Sequence, residues 1–139
     1  MNRYGIFISI SDEEMKYYNV YFDNSKKKIK RNFLIENRKI KKINIIIDYQ
    51  VRSFEGLLLY CTCINSIIFK KFNRINITDM SHMFSGCKLL KVLNLSNFNT
   101  DSITDISYML YGCSSLEQLN INNIKIINMN DMFYKCSDN

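Results

Sequence analysis

The chain has 139 residues, 47% of them hydrophobic and 23% charged, which is the size of one domain with a modest core and excludes wholesale disorder. Its formal charge of +6 is concentrated in residues 26–42, where Lys26, Lys27, Lys28, Lys30, Arg31, Arg38, Lys39, Lys41 and Lys42 face Glu36 as the one acid. The apolar runs "INIII" and "GLLLYC" are too short to span a bilayer, and the opening "MNRYGIFISISDEE" lacks the apolar core and cleavage site of an export signal, so the default expectation is an intracellular chain without a transmembrane segment.

Residues 1–50 read as a β-rich cap. "YGIFISIS" and "YYNVYF" alternate as half-buried strands do, "NSKKKIKRN" reads as a turn before "FLI", and "KINIIID" leads into the rest of the chain. Tyr4, Phe7, Tyr17, Tyr18, Tyr21 and Phe22 are assigned to the core of this cap rather than to a ligand platform. The basic block reads first as a solvated turn and strand edge, where Lys discourages edge-to-edge pairing. Its alternative is contact with nucleic acid or an anionic surface, although no aromatic RNA-binding signature or helix-turn-helix pattern accompanies it.

Residues 51–139 repeat. Shifting the chain by 26 residues superposes Leu57, Met83 and Met109, then Leu58, Phe84 and Leu110, then Cys61, Cys87 and Cys113. The register continues through Ile64, Leu90 and Leu116, through Ile67, Leu93 and Leu119, and through Phe72, Phe98 and Ile124; "MNDMFYKC" begins another copy after a three-residue shortening. Such a unit cannot bury its own apolar face and must stack on its neighbours. Within it, "LLKVLNLSN" alternates as a strand that points Leu93 and Leu95 inward. "TDMSHMFSGC" places Met80, Met83, Phe84 and Cys87 at i, i+3, i+4 and i+7 behind a capping Thr-Asp pair, which predicts two turns of helix ended by Gly86, or by Gly112 in the next copy.

The strings "LSNFNT", "TDMSHMFSGC" and "CSSL" resemble the BspA-like leucine-rich repeats, also known as a lipoprotein repeat of unknown function in surface proteins of mollicutes, spirochaetes and protists. The resemblance runs from about Phe54 to the C-terminus. It implies a right-handed solenoid and a role in adhesion or protein interaction. The buried Asn of the general leucine-rich consensus is replaced here by Phe72, Phe98 and Ile124. The predicted fold is therefore a leucine-rich-type repeat solenoid of α+β class over 51–139, in about three rungs, with parallel strands on one side, short helices on the other and the β-rich cap at 1–50.

Little in the chain points to catalysis. The one His, His82, has no partner for general-base work, and Asp79 and Asp105 sit beside Thr at predicted helix starts, where capping is their role. Gly5, Gly56, Gly86 and Gly112 form no phosphate loop. Cys61, Cys87, Cys113 and Cys136 share one repeat position and read as buried free thiols, since stacked parallel side chains hold their Cβ atoms too far apart for a disulfide and no Cys-x-x-Cys or His cluster offers a zinc set. Cys63 lies outside that column and reads first as buried in the strand approach; of the five thiols it is the one to test for reactivity.

The expectation is a non-enzymatic interaction or adhesion-type module without metal or cofactor. It would bind a protein or glycan partner through the outward strand residues Ser66, Ile68, Lys70, Val92, Asn94, Ser96, Gln118, Asn120 and Asn122; the alternative is a nucleic-acid or anionic-surface binder using the block at 26–42. The strand Leu116 to Ile121 is left either at an open edge that pairs into a dimer or beneath the "MNDMFYKCSDN" tail, whose Met129, Met132 and Phe133 have the spacing to cover it; the monomer is favoured.

Overall fold

A computed structural model describes residues 3–35, 40–69, 76–121, 125 and 128–136. Glu36, Arg38, Lys39, Lys70, Phe72, Asn122, Ile124 and the side chain of Tyr4, all singled out above, lie outside the described residues.

The N-terminal part is built from two antiparallel pairs. Strand β1 (Arg3–Ile6) pairs with β3 (Phe33–Ile35), and β2 (Tyr18–Phe22) with β4 (Ile43–Ile47) in the register Tyr18↔Ile47 to Phe22↔Ile43. The alternation of "YNVYF" places Tyr18, Val20 and Phe22 inside, and the Phe7 ring meets Phe22 edge-on at 5.6 Å. A 3₁₀ helix (Glu14–Tyr17) precedes β2; Ser11 and Glu14 exchange hydrogen bonds at its start, the Glu14 carboxylate accepting from the Ser11 amide at 2.9 Å and the Ser11 hydroxyl from the Glu14 amide at 3.2 Å.

Three short strands, β5 (Ser66–Ile68), β6 (Val92–Asn94) and β7 (Gln118–Asn120), form a parallel sheet in the 26-residue register, with Ile67, Leu93 and Leu119 side by side. Phe98 takes the place of the consensus Asn and packs edge-on against Phe69, with centroids 4.6 Å apart.

The predicted helices are absent. The leucine-rich-type solenoid with short helices along one side is thereby overturned: the structure consists of small antiparallel and parallel sheets joined by turns, and the described residues contain no α-helix. Residues 54–61, 80–87, 106–113 and 129–136, named T1 to T4 here, are runs of tight turns instead. In T2 the amides of Met83, Ser85 and Cys87 donate three residues back, to the carbonyls of Met80, His82 and Phe84. The alternate amides of Met80, His82, Phe84 and Gly86 donate across to T3, on the carbonyls of Asp105, Ser107, Met109 and Tyr111 at 2.7 to 3.0 Å. T1 donates to T2 from Phe54, Gly56, Leu58 and Tyr60, and T3 to T4 from Ile106, Tyr108, Leu110 and Gly112. A helix needs each amide to reach four residues back, and half of these amides are engaged by a neighbouring segment.

The backbone states this directly. Each segment has two residues with left-handed φ, four apart: Gly56 and Tyr60, His82 and Gly86, Tyr108 and Gly112, Asp131 and Lys135. A right-handed helix admits none. The four-residue spacing nevertheless directs Met80, Met83, Phe84 and Cys87 inward, each at most 1% exposed, so the apolar stripe is real while its backbone is a turn ladder. An eight-residue helix is marginal alone, and bonds to a flanking segment satisfy the same amides with less dependence on length.

One apolar core joins both parts. Phe7 and Ile8 are fully buried together with Leu57, Leu58 and Cys61 of T1, and the Ser9 amide donates to the Leu57 carbonyl at 2.7 Å. Gly5 passes so close to Cys63 that a Cβ there would lie 2.8 Å from the Cys63 Cβ.

Candidate functional site

The sheet face is small. Ser66 and Gln118 are exposed and Ile68 is 63% exposed, while Val92, Asn94, Ser96 and Asn120 are half-buried. Asn94 is also engaged: its Oδ1 accepts from the Ser96 amide at 2.9 Å and the Ser96 hydroxyl at 2.6 Å, a side-chain turn that ends the strand. Lys91 and Glu117 form an ion pair at 2.7 Å along this face. Replacing Asn94 with Arg therefore removes a turn contact as well as changing a surface.

Asp23 fastens the C-terminal end of the basic block. Its carboxylate Oδ1 accepts from the amides of Lys41 at 2.9 Å and Lys42 at 3.0 Å, its amide donates to the Lys42 carbonyl, and Asn44 Nδ2 donates to its carbonyl. Lys26, Lys27, Lys30, Lys41 and Lys42 are exposed and Lys28 is half-buried. Arg31 turns inward, with its guanidinium 5.4 Å from the centre of the Phe22 ring and Nε donating to the Phe33 carbonyl at 3.1 Å, so it is a packing residue.

The four Cys of the repeat position and Cys63 are all free thiols. Each of Cys87, Cys113 and Cys136 donates its S–H back to the preceding segment, to the carbonyls of Leu58 (3.1 Å), Phe84 (3.1 Å) and Leu110 (2.8 Å). The thiol is thus a small apolar group that also satisfies a carbonyl. Burial raises all of these thiols, Cys87 to about 11 and Cys113 to about 12. Cys63 is half-buried, donates to the Ile6 carbonyl at 3.2 Å and is raised by burial, which withholds the thiolate a reactive cysteine needs. Because the folded values lie above the unfolded one near 9.0, stability is whole below about pH 9 and falls as pH rises toward the folded values. Chemical denaturation at about pH 8 and about pH 10 should show that fall, and a Cys87→Ala, Cys113→Ala variant should lose less. An identical loss in both proteins contradicts the assignment.

Asp79, Asp105 and Asn128 form a second column, one at the start of each of T2, T3 and T4. Each accepts the amide two residues on: Ser81 to Asp79 at 2.8 Å, Ser107 to Asp105 at 2.7 Å, Asn130 to Asn128 at 3.2 Å. The Ser107 amide, with further hydrogen bonds from Ser107 and Asn128, holds the Asp105 carboxyl below its usual range. These residues fasten turns rather than cap helices.

A third column was not legible as a site. The His82 imidazole and Tyr108 ring stack with centroids 5.0 Å apart and planes 2° from parallel, and Tyr111 stacks on Tyr134 at 5.6 Å. Tyr108 bridges the two pairs at 6.1 Å from Tyr111, and Lys135 Nζ lies 5.5 Å from the Tyr134 centroid. Tyr60, 62% exposed, lies across Gly86, where any Cβ would collide with its ring. Tyr60, His82 and Tyr108 all hold left-handed φ values of 54 to 55°, a conformation that costs a non-glycine residue about 1 to 2 kcal/mol. The hydrogen bond and charge of Asp131 push the Tyr108 phenol up. Beside this column runs an open surface groove lined by Glu55, Tyr60, His82, Ser85, Tyr108 and Tyr111 among others. The sequence held one signal for it: the 26-residue register sets Gly56 level with His82 and Tyr108, and a glycine at one copy marks a left-handed position in all.

Residues 22–139 match the model of a Mycoplasma protein family of unknown function, DUF285. The chain belongs to the DUF285 family. The matched region takes in the basic block, the parallel sheet and all four turn segments, hence every surface described above. No curated protein and no solved structure matches the chain. Among the described residues no group of His, Cys, Asp and Glu is placed to hold a metal ion, and no helix is long and apolar enough to cross a membrane.

Proposed function

We propose that this DUF285 chain is a recognition module whose contact surface is the groove beside the ring column, with a glycan as the favoured partner. One observation carries the reading: Tyr60, His82 and Tyr108 keep aromatic or imidazole rings at left-handed backbone positions where glycine stands in other copies of the repeat. Strain of this kind is concentrated at functional positions. The lining supports a glycan, since ring surface adjoins the phenol hydroxyls of the tyrosines and the Glu55 carboxylate, and carries little net charge. The motif resemblance to BspA-like surface proteins supports an adhesion-type role. The half-buried, locally bonded residues of the sheet face make it the second choice.

A glycan array followed by calorimetry tests this. Tyr108→Gly should weaken capture about tenfold or more while stability stays within about 1 kcal/mol of the parent, because relief of the left-handed cost offsets the lost stacking. Capture that survives Tyr108→Gly and is lost with Asn120→Arg would return the site to the sheet face; capture of a protein but no glycan would change the partner class. The exposed Lys26, Lys27, Lys30, Lys41 and Lys42 support a second reading, an anionic-surface or nucleic-acid binder, and heparin binding that falls steeply with salt would favour it.

A further inference from the structure

Gly56, His82 and Tyr108 hold one backbone position in three successive layers. Their amides donate to the carbonyls of Ser81, Ser107 and Asn130 at 2.9 to 3.0 Å, and they share left-handed φ values of 58°, 55° and 54°. In two of the layers this position carries a ring. The two rings lie 5.0 Å apart with planes 2° from parallel, so Tyr108 covers one face of the imidazole. The opposite face is on the T1 side, where the matching residue is Gly56 and no further ring stacks on His82 among the described residues. The stack is one ring short there. A Cβ on Gly56 would meet only Leu59, at an ordinary 3.7 Å, and the groove runs over this gap, lined by Ser9, Glu55, Gly56 and Tyr60 as well as by His82 and Tyr108.

We propose that the gap over Gly56 seats one neutral sugar unit, whose flat C–H face completes the stack on His82 while its hydroxyls donate to the Glu55 carboxylate. This rests on the reading of the groove as a glycan site and assigns the place and the class of the sugar within it. The six-membered ring of a pyranose has the size of the missing member of the column, and its C–H face suits the negative face of an aromatic ring. Glu55 supplies the polar half of the site. Its amide is fixed on the Ser53 hydroxyl at 3.0 Å, and its exposed carboxylate stands at the rim of the groove. An ionised carboxylate only accepts hydrogen bonds, so it selects a ring that carries hydroxyl donors and repels one that carries a carboxylate of its own. A flat aromatic ligand would fill the gap and offer Glu55 nothing.

The test follows the ring protons of His82 by NMR in the whole chain, with the methyl glycosides of galactose, glucose and galacturonic acid, and with indole, as probes. At least one neutral glycoside should shift these protons with a dissociation constant of about 1 to 10 mM, and the galacturonide should bind about tenfold more weakly or worse than the galactoside. Glu55→Gln should bring those two within about twofold of each other. Gly56→Tyr sets a ring of the chain itself into the gap, at a φ that Tyr108 already tolerates, and should weaken sugar binding about tenfold or more. Gly56→Ala bears the same left-handed strain but leaves the gap open, and should bind within about threefold of the parent. Slow exchange of the Leu58 and Tyr60 amides, which donate to T2, reports that each variant is folded. Should either glycine variant unfold, the Glu55→Gln comparison decides alone. Sugar binding that survives Gly56→Tyr, a galacturonide bound as well as the galactoside, or indole bound more tightly than every sugar overturns the proposal. If glycan capture is lost with Tyr108→Gly but untouched by Gly56→Tyr, the groove reading stands and only the seat over Gly56 falls; capture of no glycan at all removes both.

Discussion

Leu93→Ala should destabilise the protein by about 2 to 5 kcal/mol. Leu93 is fully buried at the centre of β6 and is held on both sides by parallel partners, Ile67 in β5 and Leu119 in β7. Neighbouring strands pinned in register cannot close over the missing methyl groups, so the cavity persists. A domain of this size commonly has only about 5 to 15 kcal/mol in total, and a urea titration should show a clear fall in midpoint with little change in slope. A loss under about 1 kcal/mol would mean that the inner face of the sheet is not the packed layer described.

Gly86→Ala should be the costlier of two glycine substitutions that share a backbone conformation. Gly86 and Gly112 have φ of 70° and 67°, so alanine at either position meets the same left-handed penalty, about 1 to 2 kcal/mol. Their surroundings differ. A Cβ at Gly112 finds the Gly86 backbone 3.9 Å away, an ordinary contact, while one at Gly86 collides with the Tyr60 ring. Displacing that ring should add about 1 to 3 kcal/mol. In a Tyr60→Ala background the extra cost should vanish and Gly86→Ala should match Gly112→Ala. Equal costs in the parent protein would show that Tyr60 does not rest on Gly86, and would remove one wall of the proposed groove.

The 26-residue register was legible because it is written in side-chain class, and class is set by burial. The periods were harder to convert into backbone. Met80, Met83, Phe84 and Cys87 satisfy a helical stripe, yet two left-handed residues four apart direct the same four side chains inward. Periodicity reports which side chains share an interior and is silent about where the amides go. Gly86 and Gly112 announced their positive φ; His82 and Tyr108 did not, because nothing in a non-glycine residue marks that conformation except a glycine at the matching position of another copy. The alternation around Leu93 located the inner residues of β6, but the side-chain turn that engages Asn94 is local geometry that alternation cannot express. The groove followed from neither, since it depends on which rings lie beside one another once the turns are stacked.

The backbone bonds from the amides of each turn segment to the carbonyls of the next also favour an order of assembly. A chain made from its N-terminus completes the strands that cover T1 first, and T1 then faces outward with its amides unpaired. Each segment emerging later brings carbonyls to a waiting row of donors and leaves a fresh row behind it. Growth in the direction of synthesis thus never requires a finished layer to reopen. Pulse-labelled exchange on stalled ribosomes should accordingly find protection spreading from Phe54 toward Gly112, and protection that begins in T3 would show that the layers form independently.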